Sequence, residues 1–210
     1  MGIIKHVDEY GVYWSNDYYS SNALSMDKMK DNAKYIFKWL GNKGWSKNAV
    51  CGILGNMQTE STINPGRWES DRVEGNPSGH GYGLCQWTPY TKYTTWIKSK
   101  EDAPTMDGNL SRIMFELENG IQWIKTQSYP MSFYEFSISP QTPRYLAMAF
   151  LRNYERPADP NQPIRGDQAE FWWDYLSSDA PIPIPVPEIR VQNTRKWLCS
   201  RGFRINIKRR

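Results

Sequence analysis

The sequence has few of the residues that metal and disulfide chemistry require. Only two histidines occur in its 210 residues, His6 and His80. The three cysteines, Cys51, Cys85 and Cys199, show no Cys-x-x-Cys spacing. Neither a complete disulfide framework nor a four-cysteine zinc site can be assembled from them. We therefore expect reduced, buried thiols, no metal site and no other cofactor.

Long apolar runs and nucleotide-binding motifs are missing as well. No apolar stretch approaches the roughly 18 residues needed to span a bilayer, and the N-terminus lacks the charged-then-apolar pattern of a Sec signal. There is no phosphate-binding glycine loop ending in Lys-Ser or Lys-Thr, and no Gly-x-Ser-x-Gly elbow. The sequence thus predicts neither a membrane span nor a secretory signal, and it gives no support to nucleotide chemistry.

Aromatic residues, in contrast, are abundant: ten Trp, thirteen Tyr and seven Phe make up 14% of the chain. Such residues build cores or stack on flat ligand faces. The net charge of +4 favours approach to anionic polymers. The excess is local, because residues 195–210 hold seven Lys or Arg and no acid. The charge therefore says little about an active site.

Apolar periodicity and turn residues divide the chain into four parts. Residues 1–24 are expected to form an irregular arm, 25–179 a single catalytic domain, 180–187 (APIPIPVP) a proline-rich linker, and 188–210 a basic tail. Residues 64–88 are rich in glycine and proline and are interpreted as a small β-hairpin or loop subdomain. The predicted fold class is α+β, mostly α. Helices are predicted from 26 to about 41–44, from 46 to about 60, over about 90–100, over 109–124, from 142–143 onward, and over about 166–176.

Glu60 is the candidate catalytic residue. It continues the apolar stripe Val50, Ile53, Leu54 and Met57 at the C-terminal end of the second helix. Partial burial and the negative end of a helix dipole both favour the protonated form of a carboxyl group. A protonated carboxylic acid is what glycosidic bond cleavage needs for the leaving oxygen. A solvated residue at a helix end is the alternative interpretation.

The segment GYGLCQW at 81–87 is the candidate ligand-binding loop. Its glycines allow the backbone to approach a ligand closely, and Tyr82, Gln86 and Trp87 offer stacking faces and an amide. Sugars are bound by such groups. A tight hairpin with a buried tryptophan is the structural alternative.

Together these motifs resemble a known family. Glu60 followed by Gly-x-Gly-Leu-x-Gln-Trp resembles the goose-lysozyme and lytic-transglycosylase branch of the lysozyme-like superfamily. The blocks CGILGNMQTESTINPGRW (51–68) and YERPADPNQPIRGDQAEFWW (154–173) resemble the tail-tip lysozymes of small tailed phages that infect Gram-positive bacteria. The resemblance covers residues 25–178 and implies a lysozyme-like fold, with a helical domain and a β-hairpin subdomain flanking the cleft.

The resemblance also implies roles for individual residues. Glu60 takes the position of the catalytic acid. Glu74 matches an acidic residue of the family and is the first choice for a second carboxylate, with Asp71 as its competitor, because the 69–74 segment is longer here than in those relatives. Tyr154 resembles a tyrosine that lines the cleft in transglycosylases. The adjacent Glu155–Arg156 pair is interpreted as structural.

Three functions remain open on these grounds. The first is a muramidase that cleaves the β-1,4 bond between N-acetylmuramic acid and N-acetylglucosamine. The second is a lytic transglycosylase that uses the same Glu60, and the third is a non-catalytic glycan-binding or structural tail protein. The implied partners are peptidoglycan strands and other tail proteins, contacted through the arm or the basic tail, with no nucleic acid required. The implied location is the virion tail tip.

Overall fold

The computed structural model describes residues 23–69, 79–101 and 105–178, and this part of the chain is mostly helical. A short π-helical turn, Leu151–Glu155, follows the sixth of its α-helices directly. The α-helices, in chain order, are α1 (Met26–Gly41), α2 (Lys47–Ser61), α3 (Thr91–Lys98), α4 (Met106–Asn119), α5 (Phe133–Ser137), α6 (Pro143–Phe150) and α7 (Ile164–Ser178).

Side-chain caps determine where several of these helices begin. The hydroxyl groups of Ser46, Thr105 and Thr142 each accept a hydrogen bond from the backbone N–H three residues later. Pro143 occupies the first turn of α6, where a missing N–H costs nothing. The predicted starts of α2 and α6 are confirmed. The helix predicted over 109–124 instead begins after Thr105 and ends before Gly120, whose φ of 63° breaks the helical path.

Helix α2 is the central element of the core. It packs against α1, α6 and α7, and its residues from Ala49 to Met57 are all buried. The predicted inward stripe of α2 is confirmed, since all four of its apolar residues are fully buried. Two glycines permit the close packing: Gly52 lies against Leu146 of α6, and Gly55 lies against the backbone of α7 at Arg165 and Ala169.

The predicted β-hairpin is not confirmed within the described residues. Only isolated antiparallel bridges occur there, pairing Trp68 with Tyr82 and Tyr82 with Trp87. The chain turns back after single paired residues because Gly83 and Gln86 adopt left-handed φ values of 82° and 45°. Regular strands therefore do not form around this turn.

Two further predictions concern the cysteines and the absence of a membrane-spanning segment. Cys51 and Cys85 are free and buried, as expected, and burial raises the pKa of the Cys51 thiol to about 12. Cys199 lies outside the described residues, as do most of the predicted arm, the linker and the basic tail. None of the helices in the described ranges has the length and apolar character needed to cross a membrane.

Candidate active site

A cleft of about 500 Å³ opens at the C-terminal end of α2. The residues that line it come from three separate parts of the chain: the end of α2 with the segment that follows it, the loop between residues 79 and 90, and the end of the π-helical turn with the segment that follows it. They are Thr59, Glu60, Arg67, Glu69, Gln86, Thr88, Glu155 and Pro157. Seven of the eight side chains are polar or charged, so the cleft suits a hydroxyl-rich ligand better than an apolar one.

Glu60 lies in this cleft with 20% of its side chain exposed, and Arg165 pairs with it. Glu60 Oε1 is 2.6 Å from Arg165 Nη2. The guanidinium of Arg165, itself only 4% exposed, also donates to Gln162 Oε1 at 2.7 Å and to Asn56 Oδ1 at 3.1 Å. Because its other contacts fix the guanidinium, the Glu60 carboxylate is held at one place in the cleft.

Glu155 is a second carboxyl group at the cleft, at the end of the π-helical turn. The residue is half-buried, and its Oε1 is buried without a hydrogen-bond partner among the described residues. Burial raises the pKa of Glu155 well above its usual range, and the negative charge of Glu60 raises it further. The positive charges of Arg165 and Arg156 oppose this rise. Glu155 is thus a carboxylic acid suited to stay protonated next to Glu60.

The loop that contains GYGLCQW forms another wall of the cleft through Gln86. The Gln86 amide donates to the backbone oxygens of Arg67 at 3.0 Å and Gly83 at 2.8 Å. Glu69 Oε2 accepts the N–H of Gly81 at 2.8 Å. The loop is therefore fastened to residues 67–69, and Gln86 is positioned by its own hydrogen bonds.

The aromatic residues predicted to bind sugar lie elsewhere. Tyr82, Trp87 and Tyr154 are only 1 to 3% exposed, and none of them lines the cleft. Trp87 stacks on Tyr93 with ring centroids 5.0 Å apart. The expectation that these rings face the ligand is therefore corrected, because their apolar faces are used in the core. Gln86 is the predicted ligand-binding residue that lies at the cleft.

A buried hydrogen-bond network connects these rings behind the cleft. Trp87 Nε1 donates to Glu116 Oε1 at 3.1 Å and to the Tyr154 hydroxyl at 3.0 Å. The Tyr154 hydroxyl donates to Glu116 Oε2, and Arg112 Nε donates to Glu116 Oε1 at 2.8 Å. Burial raises the pKa of Glu116, and these hydrogen bonds lower it in part. The network thus links the loop between residues 79 and 90 and helix α4 to Tyr154, the residue that precedes Glu155 in the chain.

Both predicted second carboxylates, Asp71 and Glu74, lie outside the described residues and stay predictions. The sequence reasoning missed Arg165 and assigned Glu155 a structural role. Arg165 did carry a signal, since a cation in the first turn of a helix opposes the helix dipole and so points to a specific acidic partner. In the described ranges, no group of three or more His, Cys, Asp or Glu side chains is placed to hold a metal ion.

Comparison with known proteins identifies the family of the chain. A family model described as phage tail lysozyme matches residues 31–176. Morphogenesis protein 1 of Bacillus phage B103 is 52% identical over 173 residues, which cover 81% of this chain and 46% of that protein. The match thus covers less than half the length of this relative. Because the family model covers most of the chain, the chain belongs to the phage tail lysozyme family.

Proposed function

We propose that this protein is a peptidoglycan muramidase with Glu60 as its general acid. The bond cleaved is the β-1,4 link between N-acetylmuramic acid and N-acetylglucosamine. One observation carries the proposal: Glu60 lies in a polar cleft beside a fixed arginine, and the cleft is also lined by a second, half-buried carboxyl group, that of Glu155. Carboxyl pairs with different environments are what acid catalysis of glycosidic cleavage uses.

The proposed reaction assigns a role to each polar residue of the cleft that takes part in it. Glu60 protonates the leaving glycosidic oxygen, and water adds to the anomeric carbon. Gln86 and Arg67, which line the same cleft, offer an amide and a cation to sugar hydroxyl and carboxyl groups. Glu74 remains our first choice for the carboxylate that assists the attacking water, with Asp71 as the alternative. Both belong to the segment that follows Glu69 in the chain.

The test is the substitution Glu60→Gln, which keeps the shape of the side chain and removes its acidity. We expect lysis of purified Gram-positive cell walls to fall about 10²- to 10⁴-fold, the usual contribution of general acid catalysis. Turbidity loss measures the rate, and circular dichroism measures folding. Glu118→Gln, which changes an exposed carboxyl on α4 outside the cleft, is the matched control. A folded Glu60→Gln protein with undiminished lysis contradicts the proposal.

Lytic transglycosylation is the second candidate, and one observation favours it. Apart from Glu60, the carboxyl groups of described residues that line the cleft are Glu69 and Glu155. Glu69 accepts a backbone hydrogen bond, and Glu155 has a raised pKa. A transglycosylase needs no second carboxylate, because the 6-hydroxyl group of the substrate attacks. Mass spectrometry of released muropeptides distinguishes the two, since anhydro products lack one water.

The proposed biological role is local penetration of the host cell wall during DNA entry, by a protein carried at the phage tail. The family description and the name of the B103 relative support association with a virion. We propose that residues 1–24 or 188–210 contact other tail proteins. A structural tail protein without activity is the remaining alternative, and the wall-lysis assay with Glu60→Gln tests it directly.

A further inference from the structure

Arg67 is a half-buried cation of the cleft that follows helix α2 in the chain. Its backbone is held on both sides. The N–H of Arg67 donates to the carbonyl oxygen of Asn64 at 3.3 Å. The carbonyl oxygen of Arg67 accepts from the N–H of Gly83 at 2.8 Å and from the Gln86 amide at 3.0 Å. The side chain therefore extends from a fixed point of the cleft wall.

The contacts of the Arg67 side chain leave most of its donors unused. A guanidinium presents several N–H donors in a planar fork. Within the described residues this one makes a single hydrogen bond, from Nη1 to Thr62 Oγ1 at 3.2 Å. The same threonine oxygen accepts the N–H of Leu24 at the shorter distance of 2.9 Å. Burial lowers the pKa of Arg67, because a charge that is partly removed from water is costly without a partner.

The carboxyl groups that share the cleft are engaged elsewhere. Glu60 is paired with Arg165 at 2.6 Å. Glu69 accepts a backbone N–H at 2.8 Å and lies 3.5 Å from His80 Nδ1. Neither these two nor Glu155, nor any other carboxylate of the described ranges, forms an ion pair with the free cation of the cleft wall. The place of its counter-ion is therefore left to the ligand.

Peptidoglycan offers an anion at a defined place. N-acetylmuramic acid differs from N-acetylglucosamine by a lactyl ether, whose carboxyl group is either free or extended by a stem peptide with carboxylates of its own. The hydroxyl groups that both sugars share carry no charge. A guanidinium binds a carboxylate through two parallel N–H···O bonds. The lactyl substituent and its extension are thus the parts of the substrate that match Arg67.

We propose that Arg67 is a specificity-determining residue, which binds a carboxylate on the lactyl substituent of N-acetylmuramic acid or on its stem peptide. The inference rests on the proposed function, since it names the group of the glycan that the same cleft recognises. The cleft then distinguishes peptidoglycan from a neutral polymer of N-acetylglucosamine. It also holds the strand in one register, because the lactyl group occurs only on alternate sugars.

The test compares two ligands in a Glu60→Gln background, which prevents cleavage during the measurement. The first is a soluble peptidoglycan fragment with free carboxylates, and the second is the same fragment with its carboxyl groups converted to methyl amides. Calorimetry gives the Kd of each with Arg67 and with Arg67→Gln. We expect the substitution to weaken binding of the acidic fragment about tenfold or more beyond its effect on the amidated fragment. Equal weakening of both fragments overturns the inference.

Two further variants protect the test against general damage to the cleft. A fraction of misfolded protein affects both ligands alike, so the ratio of the two Kd values is the readout. Arg152→Gln is the matched control, because Arg152 is exposed and does not line the cleft, and its ratio should equal that of the background protein. Arg67→Lys keeps the charge and should retain more of the preference than Arg67→Gln. Equal loss of the preference in these two variants contradicts recognition of a charge.

Fragments whose stem peptides have been removed by an amidase distinguish the two sources of the carboxylate. A preference that persists for these fragments over their own methyl-amidated form assigns the contact to the lactyl group, and a preference that disappears assigns it to the stem peptide. The proposed function has a separate test. If Glu60→Gln still lyses walls, the proposed function fails; if Glu60→Gln is inactive and Arg67→Gln weakens both ligands equally, only this inference fails.

Discussion

Tyr154 is the residue that connects the core to the cleft. Its ring stacks on Phe150 with centroids 4.3 Å apart, and its hydroxyl donates to Glu116 while accepting from Trp87. The next residue in the chain is Glu155. The backbone that carries the buried acid is therefore held by a side chain that is itself fully enclosed.

Removing this hydroxyl should destabilise the protein. In Tyr154→Phe the buried Glu116 carboxylate loses a donor, so we expect the free energy of unfolding to fall by about 1–3 kcal/mol. Urea unfolding at neutral pH measures it. Tyr134→Phe is the matched control, because Tyr134 is 62% exposed and its change should stay within about 0.5 kcal/mol. Equal effects of the two substitutions would refute a structural role for the network.

At the scale of elements, the contact between α2 and α7 fixes the geometry of the site. Glu60 belongs to α2 and Arg165 to α7, and Gly55 of α2 lies directly against the backbone of α7. A methyl group at Gly55 would overlap the carbonyl oxygen of Arg165 and lie 2.9 Å from the backbone nitrogen of Ala169. The absence of a side chain at one position thus determines the distance between the acid and its arginine.

Gly55→Ala should therefore reduce both stability and activity. The overpacking cost of about 1–3 kcal/mol exceeds the gain in helix propensity of about 1 kcal/mol. Separation of α7 from α2 should also weaken the pairing of Arg165 with Glu60 and slow wall lysis. Thermal unfolding and turbidity assays measure the two effects.

Gly166→Ala, also in a buried helical position, is the control for this prediction. A methyl group there meets only the flexible side chain of Arg144. Its stability should be unchanged or slightly higher, and its lysis rate should equal that of the wild type. A Gly55→Ala protein that matches Gly166→Ala in both assays would show that the close approach of α2 and α7 is not required.

At the scale of the whole molecule, the half-buried carboxyl group of Glu155 should make stability depend on pH. The pKa of Glu155 in the folded state is raised above its ordinary value of 4.5, so the folded state binds this proton more tightly than the unfolded state does. The resulting stabilisation is fully present below pH 4.5 and is lost as pH rises towards the folded-state pKa. A site built for acid chemistry thus lowers stability at neutral pH.

Glu155→Gln should remove this contribution. The Tm of the variant minus that of the wild type should become more positive between about pH 4 and about pH 8, because only the wild type loses stability through this group. Glu170→Gln is a control with the opposite pH dependence. Hydrogen bonds from Arg144 lower the pKa of Glu170, so the stabilisation that ionised Glu170 contributes to the folded protein is lost as pH falls. That effect should be small, because Glu170 is exposed. A Tm difference for Glu155→Gln that does not vary with pH contradicts the prediction.

Local signals in the sequence explain which parts of the fold could be predicted. Helices α1, α2 and α6 begin where their caps and apolar periodicity predict. Helix α5 was missed although Ser132 and Glu135 form a capping box, because the helix has only five residues and hence no periodicity to read. The β-hairpin prediction is not confirmed within the described residues, where left-handed residues turn the chain back after single antiparallel bridges.

The sequence by itself determined the helical class, the central buried helix and the position of Glu60 at its end, because periodicity and capping act over a few residues. Only the tertiary structure decided what surrounds Glu60. Arg165 and Glu155 lie about a hundred residues further along the chain, and the packing of α7 and the π-helical turn against α2 brings them to the cleft. The same packing buries Tyr82, Trp87 and Tyr154, because aromatic faces suited to a sugar are equally suited to a core.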